Sequence, residues 1–128
     1  MANRTMLQFD YEDALGHTVT ALLGKRDGPA GWISIAVVIG ERALLLQVDP
    51  DTDEISVGLE DAPNSKDGWV SVPGLDYAIG SALGWCWIGR NYLGYLDMLT
   101  LSFSGLDPQV CFICEAASLN IRRIGPAA

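Results

Sequence analysis

The chain states the same plan twice, and that repetition limits what it can fold into more than any other feature. Ala14-Leu15-Gly16 recurs as Ala82-Leu83-Gly84. Each copy is followed by an apolar run and then by a glycine with an aromatic residue, Gly31-Trp32 and Gly94-Tyr95. Each ends in paired apolar stretches: 33–39 with 44–48 in the first half, 97–103 with 110–114 in the second. Within them Ile33, Ile35, Val37 and Ile39 alternate with Trp32, Ser34, Ala36 and Val38, a period of two that marks strands. Strands are expected at 18–22, 32–39, 43–48 and 55–59, and again at 83–88, 96–103, 110–115 and 119–124.

The connections are hairpin-length, which makes sequential strands antiparallel neighbours. Gly40-Glu41 is a tight turn, and Asp49-Pro50-Asp51-Thr52-Asp53 is turn chemistry, with proline presetting φ and aspartate bonding its own backbone. Gly24 to Gly31 reads as a polar loop, and residues 60–76, rich in Pro, Gly, Asn and Asp, as the seam between halves. Only residues 10–15 and 77–79 have room for a helical turn, and the tail Gly125–Ala128 is expected to fray. The expected fold is therefore mostly β. About eight antiparallel strands form two pseudo-repeated halves, 14–59 and 82–124, of one domain, packed as a sandwich or flattened barrel. The alternative is α+β, with residues near 10–15 and 74–82 as true helices over a sheet.

Composition narrows the partners. At 128 residues the chain has the length of one domain and buries roughly two-thirds of its unfolded surface. With 49% apolar residues it needs no disulfide or metal to fold. The formal charge of -8 argues against nucleic acid and against a membrane surface, both of which select basic patches. It suits a basic protein partner. The three cysteines are an odd number, the N-terminus Met-Ala-Asn-Arg-Thr-Met-Leu-Gln has no secretory apolar core, and no apolar run is long enough to span a bilayer. A cytoplasmic protein with free thiols is expected.

Asp97 is the first candidate for chemistry. By alternation it shares a face with Leu99, Leu101 and Phe103, and a buried carboxylate without partners is costly. Arg90, Asn91, Tyr92 and Tyr95 lie in the adjoining turn, with Trp85 and Trp87 on the preceding strand. Trp85, Trp87, Arg90, Tyr92, Tyr95 and Asp97 are thus the candidate ligand-binding set. The plainer reading makes Asp97 structural, holding the Gly89–Gly94 turn through backbone N–H groups. Trp85 and Trp87 project to one face, either as core packing, the favoured reading, or as an exposed recognition patch.

Other motifs point away from catalysis. Cys111 and Cys114 have C-x-x-C spacing, but on a strand they point to opposite faces and cannot share a metal. Asp49, Asp51 and Asp53 start a calcium-loop pattern with Glu60 at its twelfth position, yet Glu54 stands where that loop needs glycine. His17, the only histidine, reads as packed at a strand start, and no nucleophile or phosphate-binding motif accompanies it. No catalytic residue, metal or cofactor is assigned.

Leu83-Gly84-Trp85-Cys86-Trp87 and Gly94-Tyr95-Leu96-Asp97, with Leu99, Leu101 and Phe103 after them, resemble a family of small acidic bacterial proteins known only as a domain of unknown function. Val48 to Ile55 is similar to it as well, and the resemblance runs from about Leu15 to Ile124. It implies a fold and an origin and carries no activity. The halves differ at Trp85, Trp87 and Asp97, where the first has His17, Val19 and Ile33, which places any site in the second half. The leading function is a non-catalytic protein-interaction module that self-associates as a homodimer, since Val38, Leu45 and Ile113 are apolar residues left on outward faces. The alternative is a small-molecule binder or hydrolase with its pocket at Asp97 and Trp85/Trp87.

Overall fold

The computed structural model describes residues 7, 9–26, 28, 31–64 and 67–124. Asp27 and the tail Gly125–Ala128 lie outside them. The alternating segments form β1 (Ala21–Arg26), β2 (Trp32–Ile39), β3 (Arg42–Asp49) and β4 (Glu54–Asp61) in the first half. The second contributes β6 (Leu83–Arg90), β7 (Leu96–Phe103), β8 (Val110–Glu115) and β9 (Ser118–Arg123). Between them β5 (Val70–Ser71) is a two-residue strand paired with β1. The two short segments make single 3-10 turns, Tyr11–Asp13 capped by the Asp10 side chain and Asp76–Ala78. No α-helix occurs among the described residues, which removes the α+β alternative.

Each half is an antiparallel meander, β1-β2-β3-β4 and β6-β7-β8-β9. They join where Trp32 pairs with Leu119, so all nine strands belong to one sheet in the order β4-β3-β2-β9-β8-β7-β6, with β1 and β5 beside β2. The sheet curls into a half-barrel that brings β4 over β7. Its concave side holds the core: Ile35, Val37, Leu44, Leu46, Ile55 and Val57 meet Leu99, Leu101, Val110, Phe112 and Leu119. The strands β4 and β6 end this path, and β5 ends the branch through β1.

Turn chemistry fixes the register. Gly40, at φ 90, opens the two-residue turn between β2 and β3, the conformation in which glycine has no steric penalty. The β8–β9 turn is less comfortable, since Ala116 (φ 51) and Ala117 (φ 64) both occupy the left-handed region. The Ala117 N–H donates to Asp53 Oδ1 at 2.7 Å, so the β3–β4 turn clamps the β8–β9 turn.

The first strand begins later than the sequence suggests and runs on through Gly24, Lys25 and Arg26, which the sequence reading gave to a loop. Gly24 permits this because the Trp32 ring lies where its Cβ would be. That ring also carries the Arg26 guanidinium, 4.0 Å from its centroid.

Candidate functional site

A one-residue irregularity in β6 decides how the second half faces solvent. Leu83 pairs with Phe103, but Cys86 pairs with Leu101, so Gly84 and Trp85 together oppose Ser102 in a bulge. The Ser102 hydroxyl holds it, accepting from Trp85 N at 2.7 Å and donating to the Gly105 carbonyl at 2.6 Å. Gly84 is required here, because a Cβ would collide with Ser102 Oγ and the Gly105 carbonyl oxygen. An extra residue inverts the alternation beyond it. Leu83 stays in the core, while Trp85 and Trp87 turn outward, 54% and 36% exposed. This corrects the expectation that the two tryptophans pack in the core.

Cross-strand pairing extends the tryptophan face. Trp87 stands beside Thr100 and Cys111, and Gly89 beside Met98 and Ile113. The row ends in Asn120 and Arg122 of β9. Trp85, Trp87 and Met98 are exposed, and Ile113 is half-buried. In the first half the equivalent outer face is also apolar but covered: Ala36, Val38 and Ala43 are buried with Ala21, Leu23, Leu45, Ala62 and Trp69 around them. Ala62 and Trp69 come from the seam, which folds back over that sheet. Val38 is only 6% exposed, so it is not the leftover apolar residue that alternation suggests.

The six candidate residues divide among several places. Arg90 lines a cleft of about 500 Å³ beside β4, together with Phe9, Leu96 and residues 54–60. Trp85 lines a second cavity, of about 280 Å³, with Leu7, Tyr11, Glu12, Leu15, Cys86 and Ile88. Trp87, Tyr92, Tyr95 and Asp97 line neither. Tyr92 is at the turn tip, 96% exposed. Asp97 departs from the core face it was expected to share with Leu99. Arg90 pairs with Leu96 and Gly89 with Met98, so Asp97 is the extra residue of a second bulge, half-buried, and Leu96 takes the core position.

Asp97 acts on the turn through Asn91, one of the turn residues expected beside its carboxylate. Asn91 Nδ2 donates to Asp97 Oδ2 at 3.3 Å, while Asn91 Oδ1 accepts from Leu93 N at 2.9 Å and Tyr95 N at 3.3 Å. The asparagine-to-glycine spacing from Asn91 to Gly94, with Gly94 at φ 91, is the signal that identifies such a turn.

The thiols sit as small apolar groups. Cys114 faces the core and Cys111 the opposite side of β8, both buried. Burial pushes the Cys86 thiol up to about 12. Burial first, then the carboxylates of Asp53, Asp97, Asp49 and Glu115, push Cys114 up to about 11. Burial, with Cys86 nearby, also raises the Tyr11 phenol, whose hydroxyl donates to the Gly84 carbonyl at 2.8 Å. Neither Cys86 nor Cys114 is a thiolate at neutral pH.

The Asp49–Asp53 loop uses its carboxylates within the fold. Asp49 Oδ1 accepts from Asp51 N at 3.0 Å, and Asp53 holds Ala117. No three His, Cys, Asp or Glu side chains among the described residues come together so as to hold a metal ion. His17 is exposed rather than packed; its carbonyl accepts from Leu83 N at 2.8 Å. No helix among the described residues is long and apolar enough to cross a membrane.

No curated protein and no solved structure matches the chain. A sequence family does, over residues 1–128, and its match spans the Gly84 bulge, both tryptophans and the Asn91–Asp97 turn. The chain belongs to DUF6334, a family of unknown function.

Proposed function

We propose that this protein is a non-catalytic interaction module that self-associates through the outer face of β6, β7 and β8. The observation carrying this reading is the contrast between the halves. The outer face is apolar in both halves of the sheet, and among the described residues the seam covers only the first half. On the second, Trp85, Trp87 and Met98 remain exposed in adjoining rows beside Ile113. Clustered exposed aromatic surface of this kind belongs to interfaces, where tryptophan contributes large contact area with little side-chain entropy to lose. A two-fold pairing would lay this face on its own copy, tryptophans toward Met98 and Ile113. The bulge at Gly84 supports the same reading, because it turns outward two side chains that regular alternation would have put in the core.

Sedimentation velocity across a concentration series tests it. The wild-type chain is expected to shift from monomer to dimer with rising concentration, and Trp85→Ser/Trp87→Ser to remain monomeric with an unchanged far-ultraviolet spectrum. A wild-type monomer at the highest concentration would refute self-association.

A further inference from the structure

We propose that the free edge of β4 and the cleft beside it bind a short, extended, basic segment of another polypeptide, which adds to the sheet as a further strand. This surface is separate from the tryptophan face and does not depend on it.

The backbone supplies the first argument. Among the described residues the strand β4 pairs only with β3. Ala62 N donates to the Glu41 carbonyl at 2.9 Å, and bonded and non-bonded pairs alternate along an antiparallel ladder. Glu54, Ser56, Gly58 and Glu60 therefore direct their N–H and C=O groups to β3. Those of Ile55, Val57 and Leu59 point to the open edge. The Arg42 guanidinium takes the Leu59 carbonyl at 3.2 Å, which leaves Ile55, Val57 and the Leu59 N–H as the template for an incoming strand.

The cleft supplies the second. All of residues 54–60 line it, and its other wall is Phe9, Arg90 and Leu96. Its volume of about 500 Å³ falls within the range of binding clefts. On the inner side half-buried Leu59 and Phe9 present apolar surface, lying over Ile55, Val57 and Leu96, which are buried in the core. On the outer side Glu54, Glu60 and Asp49 present carboxylates, and Gly58 has no side chain, so the Glu60 carboxylate folds over it, 2.8 Å from where a Cβ would stand.

Charge selects the occupant. Three carboxylates, Asp49, Glu54 and Glu60, outnumber the two guanidiniums at this edge, Arg90, which donates to the Gly94 carbonyl, and Arg42 on the Leu59 carbonyl, and leave it net negative. Like charges opposite one another destabilise a strand pair, and acidic residues on an edge oppose its pairing with its own copy. Pairing of this edge with the same edge of a second copy, which would set Glu54 and Glu60 against carboxylates, is disfavoured, and a segment alternating basic with apolar residues is favoured. Its basic side chains would meet Glu54 and Glu60, and its apolar ones would lie against Leu59 and Phe9.

Fluorescence anisotropy with a short fluorescein-labelled peptide of alternating lysine and valine tests this. Saturable binding to the full-length protein is expected. Glu54→Gln/Glu60→Gln is expected to weaken it by about fivefold or more. Glutamine keeps the acceptor for Thr52 Oγ1, which donates to Glu54 Oε1 at 2.9 Å, so that variant should fold. A peptide with N-methyl groups on its β4-facing amides should lose binding. Equal binding by a glutamate–valine peptide, by the N-methylated peptide, or by the double glutamine variant would overturn the proposal. Trp85→Ser/Trp87→Ser should bind the peptide like wild type, so failure of self-association and failure of strand addition are separately visible.

Discussion

Asp97→Ala separates a structural carboxylate from one kept for a ligand. The carboxylate accepts from Asn91 Nδ2 at 3.3 Å, and the same amide's Oδ1 accepts from Leu93 N and Tyr95 N. A half-exposed hydrogen bond of this length contributes about 1 kcal/mol. Asp97→Ala should therefore lower stability by about 1 kcal/mol, or ~3–5 °C in Tm for a domain of this size. Asn91→Ala removes all three contacts and should cost about 2 kcal/mol. Asp97→Asn keeps an acceptor and should stay within about 0.5 kcal/mol of wild type. The double alanine variant should cost less than the sum of the singles, since both lose the shared bond. Thermal unfolding followed by circular dichroism gives the order directly. If Asp97→Ala melts with wild type while Asn91→Ala falls, Asp97 does not hold the turn, and a ligand-facing role becomes the better reading.

Gly84→Ala should destabilise by ~1–3 kcal/mol through the clash with Ser102 and Gly105, and an unchanged Tm would mean the bulge is not held as described. Ala116→Asn/Ala117→Gly relieves two left-handed alanines and should raise stability by ~0.5–1.5 kcal/mol in urea unfolding, leaving the backbone donor to Asp53 in place; a loss instead would contradict the turn geometry. Alkali should weaken the fold in a defined window. Cys86 and Cys114 move from 9.0 to about 12 and about 11 on folding, so the folded state holds protons that the unfolded chain releases. Stability is then constant below pH 9 and falls above it, by up to about 1.4 kcal/mol per pH unit for each thiol, until each folded pKa is passed. Urea midpoints between pH 8 and 11 measure this, and Cys86→Ala should show a shallower fall.

Much of the architecture was legible because strand period and turn chemistry are local. The alternation in 32–39 and the Gly40 turn are each settled within a few residues, and they place β2 and β3 closely. The same logic separates Cys111 from Cys114. It fails at Trp85 and at Asp97, and for one reason: each lies at a bulge, where an extra residue breaks the alternation on which the face assignment rests. Nothing within β6 announces that bulge. Its cause is Ser102 and Gly105, some twenty positions away in the chain, whose polar atoms fill the space beside Gly84.

The sequence by itself determined the strands, their hairpin connections and the acidic, mostly β character of the domain, since period, turn residues and charge need no partner to be read. Tertiary structure alone decided which apolar surfaces remain open. The seam's Trp69 and Ala62 lie on the first half of the sheet. The curl of the sheet leaves β4 as an edge beside a cleft. Burial is a property of what lies opposite a side chain. The tryptophans of β6 became surface because a serine on the neighbouring strand shifted their register and no segment of the described chain covers them.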